Sequence, residues 1–171
     1  AGIDYMLEAR DISEYKVELM QENFNRCHLN KAKAVAWDAL EPDERWLGQA
    51  DVVIADIPCS GLGVIGRKRD IKYKMTPQAV QDIVELQEKI LKVAASYVKK
   101  GGKLLFSTCT VNKDENEAHV KWIQDTLKMT PVSLNGTLPG LVHSPTTQQG
   151  FVQLIPGMQD TDGFFISVFE K

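Results

Sequence analysis

Cysteine and histidine are scarce in this chain, with three of each in 171 residues. Cys27, Cys59 and Cys109 show no CxxC spacing and no accompanying histidine pattern, which argues against a zinc site or any other metal centre. An odd, sparse set of thiols without a secretory signal points to reduced cysteines in the cytoplasm. No basic, Arg-rich or apolar leader is present, and no apolar run approaches the length that spans a membrane. An excess of positive charge is lacking too. The 20 basic residues are outnumbered by 23 acidic ones, for a net charge of -3, which excludes a surface coated in positive charge. Internal repeats, low-complexity tracts and linker-like stretches are absent, so residues 1–171 read as a single domain. The 43% hydrophobic and 25% charged composition is ordinary for a globular chain with a full-sized core.

What is present is organised around DVVIADIPCSGLGV, Asp51 to Val64. Val52, Val53, Ile54 and Ala55 run without polar interruption into Asp56, and the pattern breaks at Pro58, Cys59, Ser60 and Gly61. This predicts a strand buried on both faces, followed by a tight loop. Ligands of open parallel sheets sit beyond the carboxyl ends of the strands, so an acid ending a strand before a cysteine-bearing turn is well placed for chemistry.

The rest of the chain alternates strands and helices. Asp4 to Asp11 predicts a strand, and Ser13 the cap of a helix over Glu14 to Arg26. Val17, Met20, Phe24 and Cys27 form its apolar stripe, which places Cys27 in packing as an inert thiol. Lys31 to Trp37 predicts a second strand ending at Asp38, and Glu41 to Gln49 a connection. Thr76 and Pro77 open a long amphipathic helix, ended by Lys99, Lys100 and the Gly101-Gly102 pair. Lys103 to Cys109 predicts the next strand. Asn112 and Glu115 resemble a capping box for a helix reaching about Leu127, and capping explains its acids better than a metal site does. Met129 to Gln149 predicts a long loop. Phe151 to Ile155 and Phe164 to Phe169 predict a closing hairpin.

This order implies an α/β fold whose sheet is mostly parallel, with an antiparallel hairpin at the C-terminal end. Asp11, Asp38, Asp56 and Cys109 then fall at or just after strand ends, with Cys59 one turn beyond Asp56. One sheet edge would carry three acids and two thiols. An acid at such a position commonly accepts ribose hydroxyls, with Asp11 the candidate. A thiol becomes a nucleophile when positive charge or a helix amino terminus favours its thiolate. Cys109 precedes the expected helix start at Asn112 and Cys59 neighbours a basic segment, so both qualify. That segment, Arg67 to Lys74, sets Arg67, Lys68, Arg69, Lys72 and Lys74 against a single Asp70, with Tyr73 interleaved. Such a loop suits a phosphate backbone and a stacked base, or is simply a solvated surface.

The run ADIPCSGLGV, then GRKRDIKY, LQEKIL, GGKLLFSTCTV with NKDENE after it, and TDGFFISVFEK resembles the RNA cytosine-5 methyltransferases of the NOL1/NOP2/Sun group, in particular the bacterial enzymes that methylate 16S ribosomal RNA. The resemblance covers nearly the whole chain. It implies a Rossmann-like class I methyltransferase sheet, S-adenosylmethionine as cofactor, RNA as partner, and methylation of C5 of a cytosine. Carried over by motif, Cys109 of the TCT run would be the nucleophile and Cys59 of the PCSG run would assist release of the methylated RNA. Asp11 of ARDIS would bind the ribose and Asp38 would lie near the adenine. Asp56 would border the methionine end and the target base, with Arg67, Lys68, Arg69 and Lys72 holding RNA phosphates. The chemistry fits: a thiolate adding at C6 makes C5 electron-rich enough to take a methyl group, after which a base removes the C5 proton.

The group's glycine-rich cofactor motif, resembling AAPGGKT, is not found in the sequence. The expectation is therefore an N-terminally truncated catalytic domain that binds S-adenosylmethionine weakly or not at all. Ile57 stands where the group usually has Ala. An exchange of roles between the two thiols, or a catalytically silent RNA-binding or structural fragment, are the alternative readings.

Overall fold

The structure, a computed structural model, describes residues 4–137 and 145–171. His143 and part of the loop expected over Met129 to Gln149 lie outside the described residues. The chain divides into two compact units, Ala1–Pro42 and Asp43–Lys171.

The first unit is a strand, a helix and a strand: β1 (Leu7–Asp11), α1 (Glu14–Arg26) and β2 (Ala32–Ala36). β1 and β2 pair in parallel, from Leu7 opposite Ala32 to Asp11 opposite Ala36. Ser13 occupies the cap position of α1, but its hydroxyl makes no capping bond. Its backbone amide instead donates to Asp11 Oδ1 at 2.9 Å, which ties the helix start to the strand end. Cys27 does not belong to a packed stripe, as the periodicity suggests, and its side chain is exposed. The Cys27 amide still bonds the Asn23 carbonyl at 2.9 Å in the helical manner. His28 adopts a left-handed conformation at φ 56°, and the Leu29 and His28 amides fold back onto the Phe24 and Asn25 carbonyls. This is a Schellman closure that ends the helix at Cys27, and no residue of α1 is buried, so there is no packed stripe for Cys27 to join.

In the second unit β3 (Ala50–Asp56) pairs in parallel with β4 (Val98–Thr108). β7 (Phe164–Glu170) runs antiparallel to β4. On its other side β7 pairs with β5 (Thr130–Pro131) and β6 (Phe151–Leu154), both antiparallel. The sheet is thus mixed within an α/β fold, with the expected C-terminal hairpin formed by β6 and β7. Between β3 and β4 lie α2 (Ile71–Lys74) and α3 (Pro77–Tyr97). Thr76 caps α3, accepting the Ala79 amide at 3.1 Å, and Pro77 follows in the first turn. Beyond β4 come α4 (Glu117–Trp122), a π turn over Ile123–Leu127, and α5 (Pro145–Gln148).

The core lies between α3, α4 and the sheet. Leu91, Val98, Leu104, Phe106, Ile123, Phe165 and Phe169 are fully buried, each such large side chain stabilising the fold by about 1.5–3 kcal/mol. Three sequence expectations change here. β3 is not buried on both faces; it is the edge strand of its sheet, and Val52 and Ile54 remain 58% and 68% exposed. Gly101 and Gly102 do not stop α3, because the chain has already turned into β4 at Val98. Their place is a register shift between β3 and β4, flanked by the Lys99–Asp51 ion pair. The basic segment is partly helical, since Ile71–Lys74 forms a single turn.

Candidate active site

β3 and β4 are parallel neighbours, so their carboxyl ends deliver two loops side by side. Asp56 closes β3 opposite Ser107, whose hydroxyl donates to Asp56 Oδ1 at 3.2 Å. Two loops then carry Cys59 and Cys109, and their Sγ atoms are 3.2 Å apart. The expected meeting of two thiols above adjacent strand ends is thus present in the second unit, with Asp56 ending the strand that leads into the Cys59 loop.

The two loops are bonded to each other along their length. Ser60 Oγ and Thr110 Oγ1, the neighbours of the two cysteines, are 2.7 Å apart. The Gly63 amide donates to the Cys109 carbonyl at 3.0 Å, and the Gly163 amide to the Gly63 carbonyl at 2.8 Å. Gly63 and Gly163 touch back to back. A Cβ on Gly63 would stand 2.3 Å from the Gly163 carbonyl oxygen and 2.7 Å from that of Cys109. Only a residue without a side chain lets three segments meet this closely.

The Cys59 thiol differs electrostatically from expectation. Burial above all, and then its hydrogen bond with Cys109, push the Cys59 thiol up to about 12, although the Gly61 amide pulls the other way. Cys59 is therefore not activated by the basic segment nearby. Low dielectric disfavours its thiolate. The helix expected to start at Asn112 starts instead at Glu117, eight residues after Cys109, because Asn112 Oδ1 accepts the Asp114 amide and shapes a turn. The capping box is absent as well. Glu115 is fully buried, and its Oε2 accepts the Ser60 amide at 2.8 Å and Gln87 Nε2 at 3.1 Å.

Sequence reasoning missed Glu115, Gln87, Asn116 and Gln153 as residues of the site. Asn116 Oδ1 accepts the Thr108 hydroxyl at 2.6 Å, and its Nδ2 donates to the Thr110 carbonyl at 3.0 Å. Gln153 Oε1 accepts from the same Asn116 amide group at 2.7 Å. One signal was legible, a Gln at a core position of an amphipathic helix, since a buried carboxamide requires partners.

Asp11 and Asp38 lie in the first unit, at the carboxyl end of its parallel pair. The Ser13 amide chiefly, with Lys16 beside it, holds the Asp11 carboxyl below the usual carboxylate range against the opposing effect of partial burial. Lys16 Nζ is 2.9 Å from Asp11 Oδ2. Asp38 Oδ1 accepts the Leu40 amide at 2.9 Å. A carboxylate offers about four acceptor positions, so Asp11, ionised and holding two donors, retains capacity for hydroxyl groups of a ligand. Arg67, Lys68, Arg69 and Lys72 are all exposed. Arg67 pairs with Asp162 at 3.1 Å, Lys74 with Asp70 at 2.6 Å, and the Lys72 ammonium sits 4.7 Å from the Tyr73 ring centroid. Among the described residues no three His, Cys, Asp or Glu side chains cluster as metal ligands, and no helix is long and apolar enough to cross a membrane.

The sequence and fold are similar to those of known proteins. The chain is 38% identical over 164 residues to a probable ribosomal RNA small subunit methyltransferase B of Bacillus subtilis, a match that covers 94% of this chain and 36% of that protein. Among solved structures, a methyltransferase homolog protein from Pyrococcus horikoshii superposes with a TM-score of 0.79 at 25% identity, covering 98% of this chain and 54% of the other. NSun6 from Pyrococcus horikoshii does so with a TM-score of 0.76 at 25% identity, covering 97% and 41%. The chain thus spans little more than a third of the curated relative's length. With residues 4–170 matched by the family model for 16S rRNA methyltransferase RsmB/F, the chain belongs to that family.

Proposed function

We propose that the two units, residues 1–171, are parts of one catalytic domain that transfers a methyl group from S-adenosylmethionine to C5 of a cytosine in RNA, with 16S ribosomal RNA as substrate, in the cytoplasm. The observation that carries this reading is the thiol pair, 3.2 Å apart at the carboxyl ends of two parallel strands. Cys109 is the nucleophile. Its Sγ bonds to C6, which raises electron density at C5. When bound, S-adenosylmethionine supplies an electrophilic methyl group. Loss of the C5 proton and cleavage of the Sγ–C6 bond then restore the aromatic ring.

Cys59 remains protonated at neutral pH because its thiol is pushed up to about 12. It serves as a hydrogen-bond donor toward Cys109 Sγ and assists the final cleavage. This division of roles is favoured over the exchanged one, since a buried thiol held in its neutral form is a poor attacking group. Asp11, already ionised, accepts ribose hydroxyls, Asp38 lies toward the adenine, and Asp56 borders the methionine end and the target base. Arg67, Lys68, Arg69 and Lys72 hold phosphates around the cytosine, with Tyr73 as a stacking surface. The base must leave its stack to reach the thiols, at a cost of a few kcal/mol in a duplex.

Trapping on RNA containing 5-fluorocytosine tests the assignment, because fluorine at C5 blocks the elimination. In the full-length protein, Cys109→Ala is expected to lose the methylation-dependent adduct, and Cys59→Ala to retain or accumulate an RNA adduct. The reverse pattern would transfer the nucleophile's role to Cys59. A catalytically silent module is the alternative that partial coverage of the relatives leaves open. It predicts no methyl transfer from the full-length protein either.

A further inference from the structure

Two consecutive buried residues, Glu115 and Asn116, each hold one of the two cysteine loops by its flanking residues. On the Cys59 side, Glu115 Oε2 accepts the Ser60 amide at 2.8 Å. Gln87 Nε2 bridges Glu115 Oε2 at 3.1 Å and the Pro58 carbonyl at 2.8 Å. The residues immediately before and after Cys59 are thus fixed by one carboxyl–carboxamide pair. On the Cys109 side, Asn116 accepts the Thr108 hydroxyl and donates to the Thr110 carbonyl, again bracketing the cysteine. Glu115 and Asn116 are both 0% exposed, as is Gln87. Among the described residues, neither Glu115 Oε1 nor Gln87 Oε1 has a hydrogen-bond partner. Burying an acid with an unsatisfied oxygen costs stability, and no helix cap repays it here, since α4 begins at Glu117.

We propose that Glu115 and Asn116 are positioning residues for the thiol pair: Glu115 sets the loop that carries Cys59, and Asn116 sets the loop that carries Cys109. The adjacency of the two residues in the chain couples the two loops through one peptide unit, in addition to the direct Ser60–Thr110 and Gly63–Cys109 bonds between them. The functional consequence rests on the methyltransferase reading above, but the geometric one does not. Because Glu115 bonds the Cys59 loop directly at Ser60 and through Gln87 at Pro58, its loss impairs the step assigned to Cys59, and loss of Asn116 impairs the step assigned to Cys109.

The test uses the full-length protein and two readouts. The first is the rate at which diamide closes the Cys59–Cys109 disulfide, followed by peptide mapping. The two thiols lose two protons and two electrons, and the N=N bond of diamide is reduced to a hydrazine. Misplacing reacting atoms by about 1 Å costs on the order of a hundredfold in rate, so Glu115→Ala and Asn116→Ala are each expected to slow closure at least about tenfold. Glu115→Gln, which keeps an acceptor oxygen for Ser60 and Gln87, is expected to restore it. The second readout is the RNA adduct on unmodified cytosine. It is expected to accumulate in Glu115→Ala and to form slowly in Asn116→Ala.

Should Glu115→Ala fail to fold, Gln87→Ala, which removes the bonds to Pro58 and Glu115 but leaves the Glu115–Ser60 bond, is expected to move both readouts the same way by a smaller factor. Disulfide closure at the wild-type rate in folded Glu115→Ala and Asn116→Ala proteins would overturn the proposal. So would an identical adduct phenotype in the two variants. A wild-type protein that methylates no RNA would overturn the proposed function instead, and the closure rates would still decide the positioning role.

Discussion

Cys59 and His119 show how burial sets a residue's charge state. The Cys59 thiol, pushed up to about 12 chiefly by burial, stays neutral where an unfolded thiol ionises. Its contribution to stability is full below the unfolded value and is lost as pH rises from there through the folded value. Denaturation midpoints measured across that alkaline window should fall, and should fall less in Cys59→Ser. Alkylation at pH 8 should label exposed Cys27 well before Cys59, and equal rates would contradict the assignment. His119 behaves in the opposite sense. Burial, opposed by its bond to Asp114, depresses its protonation. Nδ1 donates to the Asp114 carbonyl at 2.9 Å, and the ring packs 5.8 Å from that of Phe106. A depressed base stabilises the fold above its unfolded value, and that stability is lost as pH falls through the folded value. Replacing His119 with Gln should flatten the acid limb of a stability–pH curve as pH falls below the unfolded imidazole value.

At the scale of elements, the strands deliver the cysteines and the loops set their separation. The crossing of Gly63 and Gly163 is the tightest of these contacts. Gly63→Ala would drive a methyl group into the Gly163 and Cys109 carbonyls, and is expected to cost about 3 kcal/mol by the usual scale of overpacking. A urea midpoint unchanged from wild type would show that the loops can separate freely. Much of this level was readable from sequence. Thr76-Pro77 marks the start of α3 because both residues act locally, one by capping and one by its fixed φ. Asn112 and Glu115 misled for the same reason. Their spacing satisfies a local rule, but Glu115 is drawn to the Ser60 amide, 55 residues away in sequence, which no local rule contains.

For the whole molecule, β3 is the revealing strand. Its apolar run predicts burial on both faces, yet it lies at the edge of its sheet with Val52 and Ile54 exposed. Long apolar edges pair with other chains unless blocked by charge. The 171-residue chain expressed by itself should therefore self-associate, and Ile54→Lys should reduce the larger species seen by sedimentation velocity. An unchanged distribution would place the association elsewhere.

The sequence by itself determined the alternation of elements, the strand-end positions of Asp11, Asp56 and Cys109, and the resemblance that the family match bears out. Each follows from periodicity or from motifs contiguous in the chain. Only the tertiary structure decided that the two sulfur atoms approach to 3.2 Å, that burial keeps Cys59 protonated, and that Glu115 and Asn116 brace the loops between them. These are relations between segments far apart in sequence. Their energies depend on distance and dielectric, which exist only once the chain has folded.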